Sequence, residues 1–556
     1  MKKIYLSLFV FCTFLVSTVT AQEPPAAPSP DKKEAKAAAP SPSPSPSPTT
    51  FSTLDQPDFK AYTLAMREKD PTKKLTVLEK FVNDFPKSFL LPTVRAELLN
   101  TVIKIDPNNK ERIYEQALKT IASVKTEFPF GSPAAVSNTY NSVVIALYGA
   151  KMDDKAEEIA QKGIALIDEV SAKTVFAAKY PMWLRLGQIY LRKNDMKTAE
   201  KYFNQSITGD YEGNAALLGL AEIAGKRKKG KQQLAYLLQA DAKGAMKREQ
   251  RAALETLYVK QHGSAAGLRE MLDENYKRAN PFPFTVAKYT PTAQRSKRTV
   301  LAELFTGAEC HPCITADTAF EAFLERYNPA EVAVLIYDLH IPSPDPITNP
   351  ATVARAKFYK ASSTPTYFIN GNDRQSGGGV NRKESEFFYN KITPLIDAQL
   401  EKPNEADLQL SATLENNVIK TTAKYDNLKG DYSGLRLYIG LVENELSYMG
   451  GNGVRFHPMV VRELGGTDRD GFALKDKSGR IEWQFDLQKV SLDLKNYIDK
   501  YEQEQQKDDK NFAFAEKKYD INPKNLSVIA FIQDEKTKNV LQSAFVNLSE
   551  TKSAMK

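Results

Sequence analysis

The chain has 556 residues, with 76 Lys and Arg against 68 Asp and Glu, a formal net charge of +8. That length exceeds what one core can organise and implies about three domains after the N-terminal segments. The charge excess, spread over it, is too mild to single out nucleic acid as a partner. Only three cysteines occur, so the chain is not a disulfide-stapled scaffold.

Lys2 and Lys3 precede an apolar run over 4–19, and Val19, Thr20 and Ala21 supply small residues before Gln22. This is the pattern of a signal peptide over 1–21, and it implies export to the periplasm or outer surface. The other reading is an uncleaved anchor, because the run is only a little short of a span. Only that reading puts the chain at a membrane. Bulky Phe11 before Cys12 argues against a lipid anchor there. Cleavage removes Cys12, Lys2 and Lys3, so two cysteines remain and the formal charge of +8 falls to +6. Residues 22–50, almost all Pro, Ala, Ser and Lys, form a disordered linker, extended because proline removes donors and fixes φ.

Residues 51–280 carry helical periodicity. Leu75, Leu78, Phe81 and Val82 share one face, and Leu98, Leu99, Val102 and Ile103 another. Trp183, Leu186, Gly187 and Tyr190, followed by Ala199 and Phe203, match the spacing of a tetratricopeptide unit. A weaker copy runs through Tyr140, Ala146, Tyr148, Ala156 and Ile159, with degenerate pieces at 72–86 and 112–131. The region resembles tetratricopeptide repeats, which implies an α-solenoid with a concave surface for a protein or peptide. A helical domain with one repeat-like hairpin and no ligand is the plainer alternative. The basic run at 226–231 lacks interleaved aromatics and reads as an inter-helix loop, so no nucleic-acid partner is expected.

Residues 281–402 alternate strand and helix. A strand at 299–306 leads to Cys310, His311, Pro312 and Cys313, and a helix follows over 314–327. A second strand is expected at 331–337 and a helix at 351–360. Thr364 and Pro365 come next, then a strand at 367–369 and a helix at 383–400. A C-x-x-C pair opening a helix is a redox motif. With the Thr364-Pro365 step it makes residues 295–400 resemble the thioredoxin fold. The resemblance implies that Pro365 is cis and packs against the disulfide, facing the substrate chain.

The helix start stabilises a thiolate, so Cys310 is expected to be exposed and to attack, with Cys313 resolving the mixed disulfide. His311, when protonated, adds to that effect, and Pro312 helps tune the potential. Two residues depart from the family pattern. Leu304 stands where thioredoxins carry a buried aspartate, and Glu303 sits one residue earlier, on the other face of the strand. Glu303 is therefore either a proton-handling group or a structural one. Glu309 replaces the usual tryptophan and should raise the thiol pKa. A structural disulfide is the rival reading of the pair. Zinc lacks a full ligand set, and haem attachment lacks a histidine at position 314.

Residues 403–556 alternate in the strand manner at 408–414, 418–423, 435–441, 481–485, 526–531 and 540–545. They read as a β-sandwich with one polar helix near 491–506. The expectation is a multidomain, exported thiol–disulfide oxidoreductase: α-solenoid, α/β thioredoxin-like domain, β-sandwich. It needs no cofactor or metal. Its partners are protein thiol or disulfide substrates and a redox partner protein, with the direction of electron flow open. The alternative is a tethered scaffold in which the thioredoxin-like module is structural or a redox-gated switch.

Overall fold

The computed structural model describes residues 56–127, 133–170, 176–208, 213–372, 374–429 and 432–548. The signal segment 1–21, the linker 22–50 and part of the 112–131 piece lie outside the described residues.

A helical region comes first. Its helices are α1 (Pro57–Arg67), α2 (Pro71–Asp84), α3 (Leu91–Ile105), α4 (Lys110–Glu127), α5 (Pro133–Gly149), α6 (Asp153–Val170), α7 (Phe176–Arg192), α8 (Met196–Ile207), α9 (Ala215–Lys226), α10 (Gly230–Asp241), α11 (Arg248–His262) and α12 (Leu268–Ala279). Neighbours in sequence pack as neighbours in space. Three of the hairpins turn in the same way. Lys151, Asn194 and Lys228 adopt φ of 57°, 64° and 57°. The next amide in each case reaches back five residues, Met152 to Leu147, Asp195 to Tyr190 and Lys229 to Ala224, all at 2.9 Å. Such a left-handed cap closes the carbonyls that a helix end leaves open. The basic run at 226–231 contains one of these turns.

Packing explains the residues of the repeat-like unit. Phe203 is fully buried, and a methyl added at Gly187 or Gly219 would lie 2.6 or 2.4 Å from its ring. Glycine at both positions lets α7 and α9 close on one phenyl from two sides. Trp183 and Tyr190 are only partly buried, against the neighbouring core.

A mixed-sheet domain follows, through a Pro-rich connection. Its elements are β1 (Val300–Thr306), α13 (Ile314–Arg326), β2 (Val332–Asp338), α14 (Pro350–Tyr359), β3 (Thr366–Ile369), β4 (Gln375–Ser376), α15 (Ser385–Glu401), β5 (Asp407–Glu415), β6 (Val418–Asp426), β7 (Leu435–Ser447), β8 (Phe456–Leu464), β9 (Phe472–Ala473), β10 (Gly479–Asp486), α16 (Leu487–Gln505), β11 (Leu526–Asp534) and β12 (Val540–Asn547). The large sheet runs β12-β11-β7-β8-β2-β1-β3-β4, with β9 on β7. β1 and β2 are parallel and buried along their whole length, as strands covered on both faces must be.

The boundary expected at 402/403 separates no two sheets. β8 pairs with β2 in parallel through Val460 and Ile336, so β7, β8, β11 and β12 continue the sheet that begins with β1. Only β5, β6 and β10 form a second, three-stranded sheet. It packs with α16 on one face of β7 and β11, around Ile439, Leu441, Val528 and Ala530. The other face, with Tyr438, Val442, Ile529 and Phe531, belongs to the core built by α13, α14 and β1 to β3. The separate β-sandwich is corrected accordingly: one of its layers is shared with the preceding module.

Candidate functional site

Cys310 and Cys313 form a disulfide. β1 ends at Thr306, and Cys310 N donates to Gly307 O at 2.9 Å, turning the chain. A single 3-10 turn, His311–Cys313, then runs into α13, with Cys313 N bonded to Cys310 O at 3.0 Å. Proline at the second position of this turn has no amide to leave unpaired there. His311 and Pro312 are exposed. Cys313 is wholly buried, and so is Cys310, at 1% exposure. The expectation of an exposed Cys310 is therefore corrected. Segments far along the chain cover it.

The Thr364–Pro365 peptide bond is cis. Thr364 Oγ1 lies 3.3 Å from Cys310 Sγ and 3.1 Å from the Ile341 carbonyl oxygen, its one proton between them. Opposite, Gly379 N donates to Pro312 O at 2.9 Å, and Thr315 N to Gly379 O at 3.1 Å. A side chain at Gly378 would sit 1.9 Å from Pro312 O and 2.8 Å from Pro365 Cγ, so only glycine lets this loop approach. The structure thus gathers Cys310, Cys313, Pro312, Thr364 and Pro365 at one place.

Glu303 is elsewhere in its bonding. Its carboxylate takes Arg355 Nε at 2.7 Å, Arg355 Nη2 at 3.1 Å, Tyr337 OH at 2.9 Å and Tyr359 OH at 2.6 Å. None of these bonds goes to a sulfur. The β1 register puts it on the face covered by α14, where these four bonds satisfy both carboxylate oxygens.

Carboxyls flank the Cys310 loop instead, and of these the sequence reading singled out Glu309 and missed Asp317, Asp338 and Asp345. Asp317, on α13, accepts from Thr306 Oγ1 at 2.6 Å, and burial pushes its pKa up to about 7. Asp345 accepts Ala308 N at 2.6 Å and Ile347 N at 2.8 Å, and burial raises it too to about 7. Asp338, opposite Thr306 in the register, is pushed well up by burial and by Asp345 and Asp317. Glu309 is raised by burial, while Gly451 N at 3.1 Å and Tyr448 OH at 3.4 Å support its charged form. Asp317 and Asp345 can hold a proton to about pH 7 next to the residues that lead into the Cys310 loop, Thr306 and Ala308. The helical spacing of Asp317, four residues after Cys313, was a usable signal for one of them.

Two histidines, His340 and His457, are tied to neighbouring segments. His340 Nδ1 accepts Asp345 N at 2.9 Å, and its ring stacks on Tyr501 with centroids 3.6 Å apart. His457 lies inside β8 and is bonded to Tyr448 O at 2.9 Å. Burial lowers both to about 4. A cleft of about 390 Å³ opens beside Ile314, lined by Lys243, Phe282, Arg382, Lys383 and Val454. Among the described residues, no group of three or more His, Cys, Asp or Glu could hold a metal ion, and no helix is long and apolar enough to cross a membrane.

No protein-family model and no curated protein matches the chain. Solved structures with partial likeness include PilF of Pseudomonas aeruginosa, at 16% identity over 40% of this chain and 92% of that one, with a TM-score of 0.29. PilW, a type IV pilus biogenesis factor, is 15% identical over 42% of this chain and 96% of its own, with a TM-score of 0.27. The tetratricopeptide protein TTC0263 of Thermus thermophilus is 16% identical over 36% and 95%, with a TM-score of 0.23. Likenesses at that level carry no conclusion about what this chain does.

Proposed function

We propose that the chain is an exported scaffold that binds a polypeptide partner and exchanges disulfides with it through a thioredoxin-like module. One observation carries the reading: the Cys310–Cys313 disulfide opens α13 with Thr364 Oγ1, of the loop before β3, on Cys310 Sγ. A helix start stabilises the thiolate that exchange needs. In the oxidising direction a partner thiolate attacks Cys310 Sγ, the bond to Cys313 breaks, and Cys313 leaves as a thiolate that takes a proton. A second partner thiolate then attacks the mixed disulfide and releases Cys310. Run backwards, the same steps reduce a partner disulfide. The helical hairpins supply the surface on which a protein is held. Export rests on Lys2, Lys3, the apolar run at 4–19 and Ala21.

A second reading, the scaffold with an inert disulfide, is favoured by the burial of Cys310 at 1% exposure. The equilibrium reduction potential of the pair, read by thiol alkylation in defined redox buffers, separates the two. A value within about −120 to −270 mV, the range of exchange proteins, supports the module as active. A value below about −300 mV marks an inert bridge and leaves the scaffold.

A further inference from the structure

The turn at 448–455, between β7 and β8, lies on the Cys310 loop. Asn452 N donates to Ala308 O at 3.0 Å, and Asn452 Nδ2 reaches Gly307 O at 3.3 Å and Cys310 O at 3.5 Å. Asn452 Oδ1 takes Val454 N at 2.9 Å, which keeps the side chain in this pose. Tyr448 OH and Gly451 N hold Glu309, the residue next to Cys310. A methyl on Gly450 would come 2.4 Å from Ala308 O, so the two backbones are in direct contact. The carbonyls of Gly307, Ala308 and Cys310 are thus all held by Asn452.

The other side of the turn is held by the helical region. Arg455 Nη1 donates to Asp241 Oδ2 of α10 at 2.8 Å, and Nε to Asp273 Oδ1 of α12 at 2.7 Å. Arg455 N donates to Tyr276 OH at 3.3 Å, and Tyr276 OH donates to Gly453 O at 3.2 Å. The Arg455 and Asp241 side chains are no more than 8% exposed, so this contact is part of the packed interior.

We propose that the 448–455 turn is a latch that shields Cys310, and that α10 and α12 are its anchor. Opening it frees the Gly307–Cys310 loop while β1 and α13 keep their places. Whatever moves α10 and α12, including a polypeptide bound to the helices, changes how often the latch opens. By linkage, breaking the disulfide then changes how tightly that polypeptide is held. The idea rests on the thiol-exchange reading for its use, but its test does not.

The test is the rate at which dithiothreitol reduces the disulfide in the folded full chain. Reduction breaks the Cys310–Cys313 bond, oxidises the reagent's two thiols to its cyclic disulfide and leaves two protein thiols. Asn452→Ala removes the side-chain bonds of the latch and is expected to speed reduction about tenfold, the scale of one buried hydrogen bond. An Asn452→Ala chain that melts with the wild type and reduces at its rate overturns the latch. Hydrogen exchange on the wild type removes any dependence on the variant folding. The Gly450 and Asn452 amides should exchange well before the β1 amides, and equal protection overturns the proposal. The rate reads access and the potential reads exchange competence, so either idea can fail alone.

Discussion

Glu303 and Arg355 meet with 2.7 Å between Oε1 and Nε, and neither side chain is more than 1% exposed. Arg355 Nη2 also reaches Gln533 Oε1 of β11 at 2.7 Å, so the pair ties β1 and α14 to the end of the chain. Removing one partner strands the other charge in the core. Glu303→Ala is expected to cost about 3–5 kcal/mol in chemical denaturation. The reduction potential of Glu303→Gln should stay within about 30 mV of wild type. A larger change would give Glu303 the proton-handling role that its bonding denies it.

For the thiols, we expect Cys313→Ser to accumulate a mixed disulfide when mixed with an oxidised cysteine peptide, because the resolving thiol is gone. Cys310→Ser should not. Intact-mass measurement reads both. Adduct on Cys310→Ser alone would reverse the roles of the two cysteines.

Asp317 makes a pH prediction with a definite sign. Folded, it holds its proton up to about pH 7, against 3.8 for the free group. Its contribution to stability is therefore full below about pH 4 and is lost as pH rises toward 7. His340 and His457, lowered to about 4, run the other way, adding stability as pH rises from 4 to 6.5. The difference between Asp317→Asn and wild type isolates the one group. It should grow in the variant's favour from pH 4 to 7, by roughly 2–4 kcal/mol, and then level off. A difference that is flat with pH would rule the titration out.

In the helical region, Phe203→Ala should cost about 3–5 kcal/mol, read as a fall in the melting midpoint. Gly219→Ala should cost about 1–3 kcal/mol through the clash with the same ring. The two are in contact, so the double variant should cost less than their sum. Strict additivity would show that Gly219 does not pack on Phe203.

The helices, strands β1, β2 and β3 and the C-x-x-C turn were legible because their signals are local. Apolar spacing, a helix start after two cysteines and a Pro after Thr364 can each be read within a few residues. β8 was missed for a physical reason. Pro458 and His457 interrupt its alternation, Met459 takes φ of 52°, and a buried Arg462 reads as surface. Without β8, the strands around it could only be placed in a sheet of their own. The cover on Cys310 was invisible for a related reason. Asn452 stands more than 140 residues from Gly307, and a Gly-rich turn says nothing about what it lies upon. The burial of Asp345 was hidden likewise, in a loop whose Pro and Asp content suggests solvent.

The single parallel step from Ile336 to Val460 decides where the protein can be cut. β2, buried from Val332 to Asp338, has its outer edge neighboured by β8, beyond which β7, β11 and β12 continue the sheet. A fragment ending near residue 402 would leave that strand as a bare edge, seven residues long and largely apolar, free to pair with another copy. A piece that keeps the whole sheet around the thiol pair therefore extends through β12, nearly 150 residues past the last turn of α15. The strands on either side of residue 402 are thus halves of one continuous sheet, and neither half has its full set of neighbours without the other.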